Sequence, residues 1–206
     1  MPDLAVLLWD VGGVVLSNGW DHVGRRAAAD RFGLDAAELE RRHERLAVPL
    51  ETGAIDWAEY LRVAVFDEPR AFTPDDFRRF VWERSACFAP AFDCARALRE
   101  AGRYLMVALN NESTELNEYR IDRFHLAGVF EVFLSSCYTG RLKPEAAAFR
   151  HALDVLHRAP AECLFLDDRP ENVAAAAALG IRTLRVRDPA HLREDLLAAG
   201  VTAGAR

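Results

Sequence analysis

Short apolar runs recur along the chain, each ending in polar or turn-forming residues and followed by a segment with helical spacing. They occupy residues 4–9, 104–109, 129–134, 164–166 and 181–186. The runs are nearly continuous rather than alternating, which predicts strands covered on both faces, as in a parallel sheet flanked by helices. Helical segments between them have recognisable ends: Pro90 opens one closed by Gly102, Pro170 one closed by Gly180, and Pro189 one closed by Gly200. Strand and helix in alternation predict an α/β class with a doubly wound, mostly parallel sheet.

Residues 17–88 break this rhythm. They contain no comparable strand-like run and read as amphipathic helices near 25–32, 36–46, 56–66 and 74–84. A single crossover between parallel strands needs only about a dozen residues. The excess predicts a small helical cap inserted after the first strand, with residues 1–16 and 89–206 forming the α/β core.

Composition narrows the partners. With 26 Lys and Arg against 32 Asp and Glu, the formal charge is −6 and the signs are mixed, so no basic stripe is available for nucleic acid. Cys87, Cys94, Cys137 and Cys163 form no C-x-x-C pair and read as reduced core thiols. The first apolar run stops at Asp10, too short for a membrane helix or a signal segment. These features predict a cytoplasmic protein, monomer or homodimer, acting on a small ligand without nucleic acid or membrane.

In open α/β sheets ligands bind beyond the carboxyl ends of the strands, so the residues closing each run carry the chemistry. The first run ends in Asp10-Val11-Gly12-Gly13, the second in Asn110-Asn111-Glu112-Ser113, the third in a loop reaching Lys143-Pro144, and the fourth in Asp167-Asp168. Taken singly, each Asp reads equally as a turn or helix cap, and Lys143 as a surface charge. Together they would bring three carboxylates to one edge, a repulsion that a bound cation removes, and oxygen-only ligands suit Mg²⁺. A carboxylate nucleophile beside Mg²⁺, with lysine and amide donors for the equatorial oxygens, is equipped for phosphoryl transfer. Gly12 and Gly13 would let the backbone approach the phosphate closely.

The order Asp10-x-Gly-Gly-Val, Asn110-Asn111, Gly-x-x-Lys143-Pro144 and Asp167-Asp168-x-x-x-Asn172 resembles the four motifs of the haloacid dehalogenase-like hydrolase superfamily. Within it the chain is similar to small bacterial sugar-phosphate phosphatases and to the amino-terminal phosphatase domain of soluble epoxide hydrolases. The resemblance implies a Rossmann-like core, a cap at residues 17–88, and a Mg²⁺-dependent phosphatase of a small phosphorylated metabolite, sugar phosphates included. It makes Asp10 the nucleophile and a metal ligand, the Gly12 carbonyl and Asp168 further ligands, and Asp167 a support of the metal site. Lys143 would neutralise Asp10 and the phosphoryl group, Asn110 would replace the usual Ser or Thr donor, and Asn111 would line the entrance. Trp20, in the segment leading to the cap, would stack on a substrate or exclude water, or else belong to the cap core.

One departure bears on mechanism. Most phosphatases of this superfamily carry an acid/base Asp two residues after the nucleophile, where this chain has Gly12. Either the substrate has a good leaving group, or another residue such as His22 or Glu112 supplies the proton, or turnover is poor. A non-catalytic phosphate-binding or regulatory protein and a metal-free 2-haloacid dehalogenase are the competing readings. The Asp167-Asp168 pair speaks against the second, since a metal-free site for an anion gains nothing from two further negative charges.

Overall fold

A computed structural model describes residues 3–203. The core is a five-stranded parallel sheet in the order β3-β2-β1-β4-β5, formed by β1 (Val6–Trp9), β2 (Leu105–Ala108), β3 (Val132–Phe133), β4 (Cys163–Asp167) and β5 (Arg182–Arg185). Between β1 and β2 lie α1 (His22–Phe32), α2 (Ala36–Glu51), α3 (Trp57–Ala64), α4 (Pro74–Glu83) and α5 (Ala89–Ala101). α6 (Thr114–Arg123) precedes β3; α7 (Ser136–Thr139) and α8 (Ala146–Leu156) precede β4; α9 (Pro170–Ala178) precedes β5; and α10 (Leu192–Ala198) follows it.

The alternation of side chains across the central strand explains why it is wholly apolar. Leu7 and Trp9 face a layer built by Ala91, Ala95 and Leu98 of α5 and Leu192 and Leu196 of α10. Val6 and Leu8 face Phe149 and Ala152 of α8 and Ala176 of α9. Both faces are thus dry, which is why hydrophobic residues run on without interruption. β1 begins and ends level with β2 and β4, Trp9 pairing with Ala108 and Leu166, so Asp10, Leu109 and Asp167 leave the sheet side by side.

α1 to α4 form the predicted helical insertion and bury their own cluster, including Trp20, Leu39, Leu50, Trp57, Tyr60 and Phe77. Leu116 of α6 enters this cluster from the core side. The two chain segments that connect insertion and core run together: Leu16 bridges to Cys87, Ser17 N–H donates to the Ala86 carbonyl at 2.8 Å, and Phe88 N–H to the Val15 carbonyl at 3.0 Å.

Several sequence expectations are corrected. The run 129–134 yields a strand of only two residues, because Val129 and Phe130 turn inward to pack beside Trp9. β5 is a sheet edge with Arg182 and Arg185 exposed, so it is not covered on both faces. α2 does not stop near residue 46 but continues through Pro49 to Glu51, held by burial of Leu50 and by the Ser136 hydroxyl donating to the Glu51 carbonyl at 2.6 Å. The four cysteines are free, yet only Cys94 and Cys163 are buried; Cys87 is exposed beside the connecting segments. No helix among the described residues is long and apolar enough to cross a membrane.

Candidate active site

The loops leaving β1, β2 and β4, joined by the one that carries Lys143, meet at one edge of the sheet and lock one another in place. Lys143, almost completely buried, donates from Nζ to Asp167 Oδ2 at 2.7 Å and lies 3.1 Å from Asp10 Oδ1. Its backbone is gripped by Asn111, whose Nδ2 donates to the Lys143 carbonyl at 2.8 Å and whose Oδ1 accepts from the Lys143 N–H at 3.0 Å. Asn111 does line the cleft, and one N–H and the oxygen of its amide are engaged in positioning Lys143.

Asn110 is similarly oriented. Its Nδ2 donates to Asn117 Oδ1 at 3.1 Å, and its Oδ1 accepts from the Ser135 hydroxyl at 2.8 Å. Asn117 Nδ2 closes the ring by donating to Ser135 Oγ at 3.1 Å. A primary amide has two N–H groups, so one donor of Asn110 remains available toward the cleft.

Neither acidic residue after β4 is a helix cap. The N-cap of α9 is Arg169, which makes no capping side-chain bond. Asp167 is fully buried and saturated: Oδ1 accepts from Arg169 N–H and from Asn172 Nδ2, and Oδ2 from Lys143 and Asn172. Asp168 is the opposite, since its buried Oδ1 has no hydrogen-bond partner. Gly13, with φ at +77°, gives it room: a Cβ there would lie 2.4 Å from Asp168 Oδ2. The glycine expected to admit a phosphate therefore admits a carboxylate.

Ligand atoms of Asp10, Asp167 and Asp168 lie within 4.8 Å of one another. One buried ammonium cannot balance three such carboxylates. Burial, opposed by Lys143 and reinforced by Asp167 and Asp168, pushes Asp10 up to about 7. Burial and the neighbouring Asp167 also raise Asp168. A divalent cation fits this set, because it would satisfy the orphaned Asp168 oxygen and favour the ionised form of Asp10.

Above Asp10 is a narrow cleft of about 70 Å³ whose wall includes Gly12, Asn110, Lys143 and Arg169 from the core and Trp20, His43 and Glu51 from the insertion side. A Cβ on Gly12 would lie 3.1 Å from Asn18 Oδ1, so Asn18 packs closely beside the position where the usual acid/base side chain is missing. Trp20 is chiefly insertion core: its Nε1 donates to the Tyr60 hydroxyl at 2.7 Å, and its ring meets Trp57 and Phe77.

The two residues expected to replace the acid are corrected. His22 is exposed at the start of α1 and does not line the cleft. Glu112 lines it, but Oε2 pairs with Arg120 Nη1 at 3.2 Å and Oε1 accepts from Ser113 N–H at 3.0 Å, leaving a saturated carboxylate. Arg120 is a residue that sequence reasoning missed. Its guanidinium reaches the Ser17 carbonyl and Ser85 Oγ, tying both connecting segments to α6. Glu51 also lines the cleft, and nothing in its local composition marks it as a ligand.

A parallel α/β fold with three clustered carboxylates and a buried lysine at the carboxyl edge of its sheet is the class this arrangement defines. The chain belongs to the haloacid dehalogenase-like hydrolase family, whose model matches residues 4–180. It is 25% identical over 180 residues to flavin mononucleotide hydrolase 1 of Arabidopsis thaliana, covering 82% of this chain and 69% of that one. It is 31% identical over 110 residues to bifunctional epoxide hydrolase 2 of Rattus norvegicus, spanning 52% of this chain but only 20% of the rat protein. In structure it is similar to a haloacid dehalogenase family enzyme from Bacteroides thetaiotaomicron solved with magnesium and inorganic phosphate, with a TM-score of 0.75 at 20% identity over 92% of this chain and 98% of that one.

Proposed function

We propose that the protein is a Mg²⁺-dependent phosphatase that hydrolyses a small phosphorylated metabolite through an aspartyl-phosphate on Asp10. The observation that carries this reading is the pairing of an orphaned, buried Asp168 oxygen with an Asp10 whose carboxylate is held by Lys143. Asp10, Asp168 and the Gly12 carbonyl are the proposed metal ligands, with Asp167 fixing Lys143 behind them. The cation would supply charge neutralisation for the phosphoryl group and for Asp10 itself.

The remaining chemistry belongs to the side chains. Asp10 Oδ1 accepts from Val11 N–H at 2.7 Å and faces Lys143, which leaves Oδ2 as the attacking atom. Lys143 and the spare N–H of Asn110 stabilise the charge that develops on the equatorial oxygens. The similarity to a plant flavin mononucleotide hydrolase and to a Bacteroides enzyme solved with magnesium and inorganic phosphate supports the same chemistry. The Asp167-Asp168 pair beside Asp10 argues against a metal-free dehalogenase, since a metal-free site for an anion gains nothing from two further negative charges.

Hydrolysis of p-nitrophenyl phosphate by the wild type and Asp10→Asn, each with Mg²⁺ or EDTA, tests the reading. Turnover requiring both Mg²⁺ and Asp10 is expected. A folded protein that binds inorganic phosphate yet hydrolyses nothing would overturn it in favour of a binding role.

A further inference from the structure

The core motifs supply a nucleophile, a cation site and phosphate donors, but no group to protonate the leaving oxygen, since Gly12, with Asn18 packed close beside it, stands where the usual acid would. The structure points to a different source. We propose that Glu51, at the carboxyl end of α2 in the insertion, donates the proton to the leaving group and then serves as the base for the attacking water. This rests on the phosphatase reading and extends its substrate class: with a proton donor in place, esters of ordinary alcohols become substrates, and a good leaving group is not required.

Geometry singles out Glu51 among the weak acids around the cleft. Glu112 is saturated by Arg120 and Ser113. Asp21 caps α1 by accepting from Gly24 N–H at 2.7 Å. His43 Nδ1 meets the Tyr60 hydroxyl at 3.1 Å, and burial lowers it to about 4, so it holds no proton to give at neutral pH. The Glu51 carboxyl has no hydrogen bond or ion pair among the described residues and lines the same cleft as Asp10 and Lys143.

Its position is fixed from outside the insertion. Ser136 Oγ donates to the Glu51 carbonyl and itself accepts from Glu112 N–H at 3.0 Å. Two residues on, Gly53 at φ +72° lies so close to the core that a Cβ would be 2.6 Å from the Cys137 carbonyl oxygen. The end of α2 is thus pressed onto α7 after β3, which fixes the backbone of Glu51 at the wall of the cleft.

The surroundings also suit the role. Burial and the facing Glu112 push Glu51 up to about 7, against the weaker pull of Arg169, Arg25 and Lys143. On the packed elements, His43 and Tyr60 are neutral near pH 7, and burial pushes the Cys137 thiol up to about 11, so it too is neutral. A group that titrates near the working pH can both give and take a proton efficiently.

The steps balance. Asp10 Oδ2 forms a bond to phosphorus as the bond to the leaving oxygen breaks, and that oxygen takes the Glu51 proton and departs as the alcohol. Glu51, now a carboxylate, takes a proton from water as the water oxygen bonds to phosphorus. The bond from phosphorus to Asp10 breaks, giving inorganic phosphate, a free Asp10 carboxylate and a protonated Glu51.

The test compares phenyl phosphate with p-nitrophenyl phosphate, two substrates of similar shape whose leaving groups differ in basicity, on wild type and the near-isosteric Glu51→Gln. General acid catalysis is worth about 10²- to 10⁴-fold. In kcat/KM, which reports only the steps up to departure of the leaving group, Glu51→Gln is expected to lose about that much on phenyl phosphate and less than about tenfold on p-nitrophenyl phosphate. Its kcat falls on both, because the base for the attacking water is gone. The wild-type rate on phenyl phosphate should also fall as pH rises through about 7, a limb absent from the variant. Equal losses in kcat/KM on both substrates, no loss on either, or a wild type that hydrolyses only p-nitrophenyl phosphate would overturn the role of Glu51 while leaving the phosphatase intact. A wild type inactive on both would overturn the phosphatase reading itself.

Discussion

The helices of the insertion and those of the core start in different ways. Asp21, Asp35, Asp56 and Thr73 each cap one of α1 to α4 with a side-chain oxygen on a backbone N–H of the first turn. α5, α6, α8 and α9 of the core have no side-chain cap bond at all. The difference follows from what precedes each helix. In the core, the residues leading into α6 and α9 are the strand-end groups that build the site, and Asp167 is committed to Lys143 and Asn172 rather than to a cap. Local stability is exchanged for a constellation, whereas the insertion helices are specified locally and contribute to the site only through where they dock.

This contrast predicts that losses at the core edge should be large in chemistry and losses in the insertion graded. Asp10→Asn should lower kcat at least about 10⁴-fold, as removal of an essential nucleophile does, while circular dichroism remains unchanged. A residual rate within tenfold of wild type would place the nucleophile elsewhere. Lys143→Met leaves Asp10 and Asp167 without their shared counter-charge and should destabilise the protein by about 3–5 kcal/mol in urea denaturation without metal. Addition of Mg²⁺ should recover part of that loss.

Gly13→Ala should cost on the order of 1–3 kcal/mol for a strained left-handed residue, and it displaces Asp168. It should therefore also abolish the rise in melting temperature that Mg²⁺ gives the wild type, a gain of about 2.7 kcal/mol at a hundred times Kd. If Mg²⁺ still stabilises the variant equally, Asp168 is not a ligand.

The smallest effect belongs to Glu51. Its folded-state pKa is raised, to about 7, so the stability it contributes is fully present below the unfolded value and is lost as pH rises through about 7. Glu51→Gln should then be the more stable form at pH 8 by on the order of 1–3 kcal/mol, and the advantage should vanish near pH 4. A difference independent of pH would show that the carboxyl is not desolvated against Glu112.

The same contrast explains what could be read from the sequence. Asp10, Asn110, Lys143 and Asp168 each sit at or just beyond the end of an apolar run, so strand-end logic located them before any contact was known. That Asn111 serves Lys143, that Gly13 serves Asp168, and that Arg120 ties the two connecting segments to α6 are facts about neighbours distant in sequence, with no periodic or compositional mark. Glu51 was illegible for a further reason. It lies after Pro49 on a helix whose pattern fades near residue 46, and only the Ser136 and Cys137 contacts from the core turn it toward the cleft.

The most direct measurement of the central claim is rapid acid quench during turnover of p-nitrophenyl phosphate, followed by mass spectrometry of the peptide that contains Asp10. A phosphoryl group on Asp10 that appears only with Mg²⁺, and is absent from Asp10→Asn, is the predicted result. Sustained hydrolysis with Asp10 never phosphorylated would contradict the account, because phosphate would then pass to water without the carboxylate around which this edge of the sheet is built.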